Sequence, residues 1–378
     1  MGATMTETAC STATEPTKIL LLTGYLGAGK TTILNRILAN QQGVRAAVIV
    51  NDIGEVNVDA SLVREGGFAE DVISLTNGCI CCTLSEDLAK QLSGIAASNA
   101  FDYVIIEASG ICEPIPIAYT ISGFCDASQE GAAPLALDNI VCVVDCARMF
   151  DEFNGGHALT SGDVDEDDVE SLLIQQIEFC TTLILNKTDT VTPEQIAELR
   201  AIVRSLQKNA VIVEAHHGEI PMNELLDTGR FDFMEVYNSA VWADAMDHPE
   251  EHENPEVLEY GFSTFVYDRR VPFNLEALGE LANHWPEGVV RAKGIIWAAQ
   301  DPDERYMFEQ AGREISAMGT GPFVAAMPEE ERAEQFTADP SLEAYWDAGL
   351  GDRGTRLCII GRNMDRTAVE SALDACLA

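Results

Sequence analysis

Short, almost entirely apolar runs recur along the chain from Lys18 to Val213, and stretches of helical character separate them. Strands buried on both faces of a sheet have this near-continuous apolar composition. Their alternation with helices is typical of a parallel α/β sheet. The runs are KILLLTG, AAVIVN, DVISL, DYVIIE, NIVCVVD, TLILN and VIV. We therefore predict an α/β fold with a mostly parallel sheet. Thr192, Pro193 and Gln195 form a capping-box pattern that predicts a helix start between the last two runs.

The pattern changes after the last apolar run. Residues 221–256 are acidic and broken by prolines, which indicates a linker, and a new set of elements follows from residue 257. EYGFSTFVYD, VVRAKGIIWAA and TRLCIIG resemble strands, whereas FNLEALGELANHW and DRTAVESALDACL resemble helices. We predict a polar, disordered leader at residues 1–16, a nucleotide-binding domain at 17–220, the acidic linker at 221–256 and a smaller α+β domain at 257–378.

The strong excess of acidic residues excludes some classes of binding partner. The chain has 62 acidic and 23 basic residues, a formal net charge of -39. A field of this sign repels phosphate backbones and anionic lipids, so we expect neither nucleic acid nor a membrane surface as a partner. We see no signal peptide and no membrane-length apolar run, and expect a cytoplasmic protein. The 11 cysteines should then be reduced thiols, with Cys142, Cys146 and Cys180 structural because they lie in or beside apolar runs.

The segment Gly24–Thr31 (GYLGAGKT) follows the first apolar run and precedes the helical stretch TTILNRILAN. It fits G-x-x-x-x-G-K-[ST] in the strand–loop–helix context of a phosphate loop. Backbone N–H groups and the helix N-terminus would hold the phosphates. Lys30 would reach the β- and γ-phosphates, and the Thr31 hydroxyl would bind Mg²⁺. The candidate phosphate-binding residues are Gly24, Gly27, Ala28, Gly29, Lys30, Thr31 and Thr32.

Two further motifs follow later strands. Asn186, Lys187 and Asp189 form N-K-x-D, in which the aspartate accepts hydrogen bonds from the ring N–H and the amine that guanine has and adenine lacks. This pattern favours GTP over ATP. Glu107 ends the DYVIIE run and begins E-x-x-G with Gly110, where GTPases usually carry D-x-x-G. Glu107 would hold Mg²⁺ through water and Gly110 would sense the γ-phosphate, so Lys30, Thr31 and Glu107 are the candidate catalytic residues.

Cys79, Cys81 and Cys82 lie within four residues, in a predicted loop between a strand and a helix. Such a thiolate cluster suits a soft ion such as Zn²⁺. Three sulfurs leave a fourth position for a carboxylate, a histidine or water, so the predicted site is open and exchangeable. The alternative interpretation is a set of buried structural cysteines.

The order of these motifs resembles the CobW family of GTP-binding metal chaperones. The similar segments are GxxxxGKTT at Gly24–Thr32, NDIGE at Asn51–Glu55, GCICC at Gly78–Cys82, ExxGxxxP at Glu107–Pro114 and NKxD at Asn186–Asp189. The similarity extends through the second domain, from residue 18 to the C-terminus. It implies a phosphate-loop domain with an α+β domain, and slow GTP hydrolysis coupled to metal delivery to a client metalloprotein.

The resemblance also implies candidate metal ligands at Asp52 and Glu55, although Asp52 replaces the family's usual glutamate. The family's histidine-rich tract is reduced here to His248 and His252. The implied cofactors are GTP, Mg²⁺ and Zn²⁺, with Co²⁺ or Ni²⁺ open, and a homodimer is also left open. Two alternatives remain: a nucleotide-binding metal buffer without significant turnover, and a cobalt or nickel maturase such as a cobalamin-biosynthesis or nitrile-hydratase activator.

Overall fold

We used a computed structural model of the 378-residue chain. It describes residues 16–39, 45–51, 72–75, 84–126, 134–151, 169–233, 235–236, 240, 261–311, 314–338 and 342–378. All structural statements below refer to these residues.

The first domain is built on a seven-stranded sheet in which every pair of neighbouring strands is parallel. The strands are β1 (Thr17–Thr23), β2 (Ala46–Asn51), β3 (Val72–Leu75), β4 (Tyr103–Glu107), β5 (Leu135–Asp145), β6 (Thr182–Asn186) and β7 (Val211–Glu214). Their order in the sheet is β3-β2-β4-β1-β5-β6-β7. The seven apolar runs of the sequence correspond to these strands, because central strands such as β4 and β6 are buried along their full length. The predicted α/β class is confirmed.

Helices connect these strands and cover the sheet. They are α1 (Lys30–Ala39), α2 (Leu84–Ser98), α3 (Pro114–Asp126), α4 (Cys146–Asp151), α5 (Val169–Glu178) and α6 (Pro193–Leu206). The predicted capping box at the start of α6 is confirmed: Gln195 N–H donates to the Thr192 hydroxyl, and the Gln195 side chain accepts from the Thr192 N–H. Since all strands run the same way, β1, β4, β5, β6 and β7 bring the loops that follow them to one edge of the sheet.

The second domain is a five-stranded antiparallel sheet with helices. Its strands are β8 (Phe262–Arg269), β9 (Val289–Trp297), β10 (Glu304–Ala311), β11 (Glu314–Pro322) and β12 (Thr355–Arg362), in the order β11-β10-β9-β12-β8. Its helices are α7 (Leu275–Ala282), α8 (Glu329–Ala338), α9 (Leu342–Tyr345) and α10 (Arg366–Asp374). Leu278 of α7 and Leu373 of α10 pack with Tyr267 and Phe308 in one apolar core. The predicted α+β character is therefore confirmed.

Strands β10 and β11 were not among the strands predicted from the sequence. They form a hairpin at one side of the sheet, in which β11 pairs with β10. Much of β11 is exposed and consists of small residues and glycine, and Met318 is 69% exposed. An edge strand with little buried apolar surface lacks the apolar run that is typical of the inner strands. Strand β11 is therefore recognised only by its pairing with β10 in the structure.

Part of the segment predicted as a linker packs on the first domain. Leu225 is completely buried in the core, and its carbonyl accepts from the side chain of Asn139 in β5. The N–H groups of Arg230 and Phe231 donate to the carbonyl oxygen of Asp138. Residues 221–231 therefore pack against the sheet of the first domain. The limits of the domains stay a prediction.

Candidate functional site

The phosphate loop joins β1 to α1 in the strand–loop–helix arrangement that the sequence predicts. Gly24 has φ +125°, and a Cβ there would lie 2.2 Å from the Val143 carbonyl oxygen. Gly29 has φ +108°, and a Cβ there would lie 2.4 Å from Asn186 Nδ2. Both positions need glycine because of the backbone conformation and because neighbouring strands approach closely. The loop is thereby held between β5 and the end of β6.

Lys30, the first residue of α1, is buried at the centre of this loop. Its Nζ donates to the carbonyl oxygens of Gly24 (2.7 Å) and Tyr25 (3.2 Å). The ammonium group therefore lies against the loop that would enclose the phosphates. This placement agrees with its predicted role, although a phosphate contact itself stays a prediction.

Thr31 and Glu107 come together at the mouth of the loop. The Thr31 hydroxyl donates to Glu107 Oε1 at 2.8 Å, across 76 residues of sequence, and Glu107 is 2% exposed. Magnesium binds through a hydroxyl, one or two carboxylates, phosphates and water, all of them hard oxygen ligands. The donor set formed by these two residues therefore fits Mg²⁺. The side chain of Thr32 follows on the same helix turn and is exposed.

Asn186 connects the base-reading motif to the phosphate loop. Its Nδ2 donates to the Ala28 carbonyl oxygen at 2.9 Å, although 158 residues separate the two in sequence. Lys187 has φ +61°, and its Nζ donates to the Gly27 carbonyl oxygen at 3.0 Å and to Asp145 Oδ2 at 2.5 Å. Asp189 lies in the following 3₁₀ turn and is exposed, where its carboxylate is accessible to a base.

The loop after β7 completes this corner of the site, although its residues were not among the site residues predicted from the sequence. The Gly218 N–H donates to Asn186 Oδ1 at 3.2 Å, and Thr188 donates to the Ala215 carbonyl oxygen through both its N–H and its hydroxyl. Exposed His216 and His217 lie between these anchors. Their position after a strand of the same parallel sheet was the available signal, because such strand ends share one edge.

Gly110 lies directly against the phosphate loop. It is buried, and a Cβ at this position would lie 2.5 Å from the backbone nitrogen of Leu26. The side chain of Gln176 in α5 donates to the carbonyl oxygens of Gly110 (3.3 Å) and Cys112 (3.0 Å). The E-x-x-G segment is therefore held between the phosphate loop and α5.

The remaining candidate metal ligands lie outside the described residues. They are Asp52, Glu55, Cys79, Cys81, Cys82, His248 and His252. Within the described part of the chain, no group of three or more His, Cys, Asp or Glu side chains could hold a metal ion.

The three cysteines predicted to be structural are buried, as expected. Burial raises the pKa of the Cys142 thiol to about 12, and burial together with the Asp145 charge raises that of Cys146 to about 12. The pKa of Cys180 is also raised well above its usual value by burial. These thiols stay protonated at neutral pH and are poor metal ligands, since the thiolate is the ligand form.

Both domains match known protein families. Residues 18–214 match the CobW/HypB/UreG nucleotide-binding domain, and residues 262–377 match the cobalamin synthesis protein cobW C-terminal domain. A Dictyostelium discoideum zinc-regulated GTPase metalloprotein activator 1 is 34% identical, over 96% of this chain and 80% of its own length.

A Sinorhizobium zinc chaperone CobW is 29% identical over 94% of this chain and 96% of its own length. The crystal structure of Zn(II)-bound YjiA GTPase from E. coli is 21% identical, with coverages of 96% and 99% and a TM-score of 0.43. Among the described residues, no helix is long and apolar enough to span a membrane.

Proposed function

Because the chain belongs to the family that joins the CobW/HypB/UreG nucleotide-binding domain to a CobW C-terminal domain, we propose that it is a metallochaperone GTPase. It hydrolyses GTP and couples the nucleotide cycle to delivery of a metal ion, which we propose to be zinc. The recipient is a client metalloprotein.

The observation that carries this proposal is the convergence of two distant motifs, E-x-x-G and N-K-x-D, on the phosphate loop. Asn186 bonds to the Ala28 carbonyl oxygen, Glu107 accepts from Thr31, and Gly110 lies on Leu26. A phosphate loop alone supports a nucleotide of any base. The attachment of N-K-x-D to that loop through Asn186 and Lys187 supports the assignment of Asp189 to a guanine base.

Within the proposed site, Lys30 binds the β- and γ-phosphates, while the N–H groups of Gly27 to Thr32 surround them. Thr31 and Glu107 would hold Mg²⁺, which would neutralise part of the phosphate charge. Gly110 carries the N–H that contacts the γ-phosphate. Asn186 and Lys187 position the base, and Asp189 selects it. Gly24 and Gly29 allow the backbone to turn closely around the anion.

We place the metal cargo at Cys79, Cys81 and Cys82, with Asp52 and Glu55 as further candidate ligands. Thiolate sulfur favours zinc over hard cations such as Mg²⁺. The names of two relatives support zinc as the cargo. Cobalt and nickel stay alternatives, since they compete for the same soft donors. The proposal also includes a client metalloprotein as the recipient, a cytoplasmic location and the homodimer that the resemblance left open.

A hydrolysis assay that varies both nucleotide and metal tests the function. We expect GTP to be hydrolysed in preference to ATP, with a rate that changes when Zn²⁺ is added. A preference for ATP would refute guanine selection by Asp189. Turnover at background with and without Zn²⁺ would instead favour a nucleotide-binding metal buffer. Repeating the hydrolysis assay with Co²⁺ and with Ni²⁺ in place of Zn²⁺ distinguishes a zinc chaperone from a maturase for those metals.

A further inference from the structure

Five consecutive carbonyl oxygens of the phosphate loop each accept a hydrogen bond from a side chain. The pairs are Lys30 to Gly24 (2.7 Å) and to Tyr25 (3.2 Å), Arg148 to Leu26 (2.6 Å), Lys187 to Gly27 (3.0 Å) and Asn186 to Ala28 (2.9 Å). Lys30, Lys187 and Asn186 belong to the nucleotide-binding motifs. Arg148 belongs to none of them, so its contact with the loop requires a separate explanation.

Arg148 is held in place from two sides. It lies in the short helix α4, and its backbone N–H donates to Asp145 Oδ1, at the end of β5, at 3.2 Å. Its guanidinium carbon lies 4.4 Å from the centre of the Tyr25 ring, within the range of a cation–π contact. The planar guanidinium therefore has one defined position, with Nη1 directed at the Leu26 carbonyl.

The contact determines the orientation of the next amide. In a trans peptide the carbonyl and the N–H of one unit point in opposite directions. Because the Leu26 carbonyl points at Arg148, the Gly27 N–H points away from Arg148, towards the side of the loop that would receive the anion. Hydrogen bonds to a charged donor are about twice as strong as neutral ones, and they polarise the acceptor group. Arg148 thereby makes the Gly27 N–H both better aligned and a stronger donor.

This peptide lies at the γ-phosphate end of the loop. Leu26 is in contact with Gly110, where a Cβ would approach its backbone nitrogen to 2.5 Å. Gly110 is the residue of the E-x-x-G segment that the proposed function assigns to the γ-phosphate. On the proposed role of Gly110, the Gly27 N–H would therefore face the phosphoryl group that is transferred and not the base.

We propose that Arg148 is a positioning residue for GTP hydrolysis: it holds and polarises the Leu26–Gly27 peptide so that the Gly27 N–H stabilises the transferring phosphoryl group. Charge on the phosphoryl oxygens is redistributed in the transition state, and a preorganised donor acts on that state without reorganisation. The effect should therefore be larger on the rate of hydrolysis than on the affinity for GDP. This inference rests on the proposed GTPase activity.

Arg148→Ala and Arg148→Lys, measured in the full chain, test this role. We expect Arg148→Ala to lower the single-turnover rate of GTP hydrolysis by at least about tenfold, less than the ~10²–10³ for loss of a direct donor. Its dissociation constant for GDP should stay within about threefold of the parental value, because GDP lacks the transferred group. Binding of GDP with aluminium fluoride should weaken in step with the rate. Arg148→Lys retains a cationic donor and should recover most of the loss.

Arg45→Ala is the matched control. It removes the same charge from a surface pair with Asp102, beside the start of β2 and away from the nucleotide edge. Its hydrolysis rate should equal that of the parent. If Arg148→Ala fails to fold, Arg148→Gln replaces it, because glutamine is of similar length but neutral. We expect Arg148→Gln also to hydrolyse GTP slowly.

Two results would overturn the role of Arg148. The first is a parental rate in Arg148→Ala or Arg148→Gln. The second is a loss of GDP affinity by the same factor as the rate, which would indicate general loosening of the loop. A parental protein that does not hydrolyse GTP would refute the proposed GTPase instead, so the two failures are distinguishable.

Discussion

Glu178 and Arg291 form a two-pronged ion pair between the two domains, with Nε to Oε1 at 2.8 Å and Nη2 to Oε2 at 3.0 Å. Glu178 is the last residue of α5, Arg291 lies in β9, and they are 5% and 1% exposed. Arg291 also donates to the Gln310 carbonyl oxygen at 3.1 Å. Its Nη2 also lies 3.8 Å from Glu309 Oε1. The Glu178 and Arg291 charges are thus removed from water at the interface, and the shortest ionic contacts of Arg291 are those to Glu178.

The same helix reaches the nucleotide site. Gln176, two residues before Glu178, bonds to the carbonyl oxygens of Gly110 and Cys112. A second ion pair, between Glu198 of α6 and Arg362 of β12, lies at the same interface. Phe262, Val290 and Ala311 of the second domain join the apolar core of the first. Helix α5 therefore contacts both the E-x-x-G segment and the second domain.

Breaking the buried pair should destabilise the protein strongly. Arg291→Met leaves the Glu178 carboxylate buried without its cation, which costs roughly 3–5 kcal/mol. Glu178→Leu together with Arg291→Met replaces both charges by apolar groups and should be more stable than Arg291→Met alone. Urea denaturation measures the free energy of unfolding in each case.

The control for that experiment is the exposed pair of Arg200 and Glu214. Arg200→Ala should change the free energy of unfolding by no more than about 1 kcal/mol, since exposed pairs contribute little. A double variant, Glu178→Leu with Arg291→Met, that is no more stable than Arg291→Met alone would contradict the description of Arg291 as the cation that compensates the buried Glu178 charge.

Asp189→Asn should reduce the preference for GTP over ATP. The carboxylate would accept two hydrogen bonds from guanine, and hydrogen bonds to charged groups contribute roughly 1.5–3 kcal/mol. The ratio of GTP to ATP affinities should consequently fall by about tenfold or more. Titration with both nucleotides checks this ratio. Asp268→Asn, an exposed carboxylate of β8, should leave it unchanged. A ratio unaltered in Asp189→Asn would remove N-K-x-D from the site.

Lys30→Ala should abolish GTP binding or turnover and leave the protein folded. Its ammonium group is enclosed by the phosphate loop, where it donates to the backbone carbonyl oxygens of Gly24 and Tyr25. Phosphate release assays and far-UV circular dichroism measure the two properties. Lys18→Ala, at the opposite end of β1, is the control and should retain turnover. Hydrolysis by Lys30→Ala at the parental rate would refute the phosphate-loop assignment.

Zinc affinity should depend on the bound nucleotide. Reciprocity requires that GTP change zinc affinity by the factor by which zinc changes GTP affinity, and such couplings are typically 1–3 kcal/mol. We expect at least about a fivefold difference in Zn²⁺ dissociation constant between the GTP-analogue and GDP forms, measured by competition with a chelator. Equal affinities in both forms would leave GTP binding intact but exclude the switch mechanism.

The cysteine variants locate that zinc site. Replacing Cys81 and Cys82 with serine should remove both the tight site and its nucleotide dependence, because serine is a poor ligand for soft metals. Cys125→Ser, in α3, is the control and should keep both. Tight zinc binding that survives the double substitution would move the site elsewhere, with His248 and His252 the first residues to test.

Local patterns were sufficient for the inner strands and for most of the nucleotide-binding residues. The sequence predicts strand β4 as buried because it is apolar along its length. It predicts the phosphate loop because an apolar strand and a helix directly flank the motif. Strand β11 was missed because an exposed strand of small residues has no apolar pattern of its own. Arg148 was missed because its partner, Leu26, lies 122 residues away in sequence.

The sequence by itself determined the parallel α/β architecture, the phosphate loop and the motif order that identifies the family. Each strand and each motif consists of residues that lie within a few positions of one another, so spacing and hydrophobicity suffice to detect it. The order of these local patterns along the chain then indicates the architecture and the family. The tertiary structure alone decided that Asn186 supports the loop through Ala28, that Arg148 directs the Leu26–Gly27 peptide, and that Glu178 joins the domains through Arg291. These contacts depend on strand order and on packing distances, which bring together residues separated by more than 100 positions.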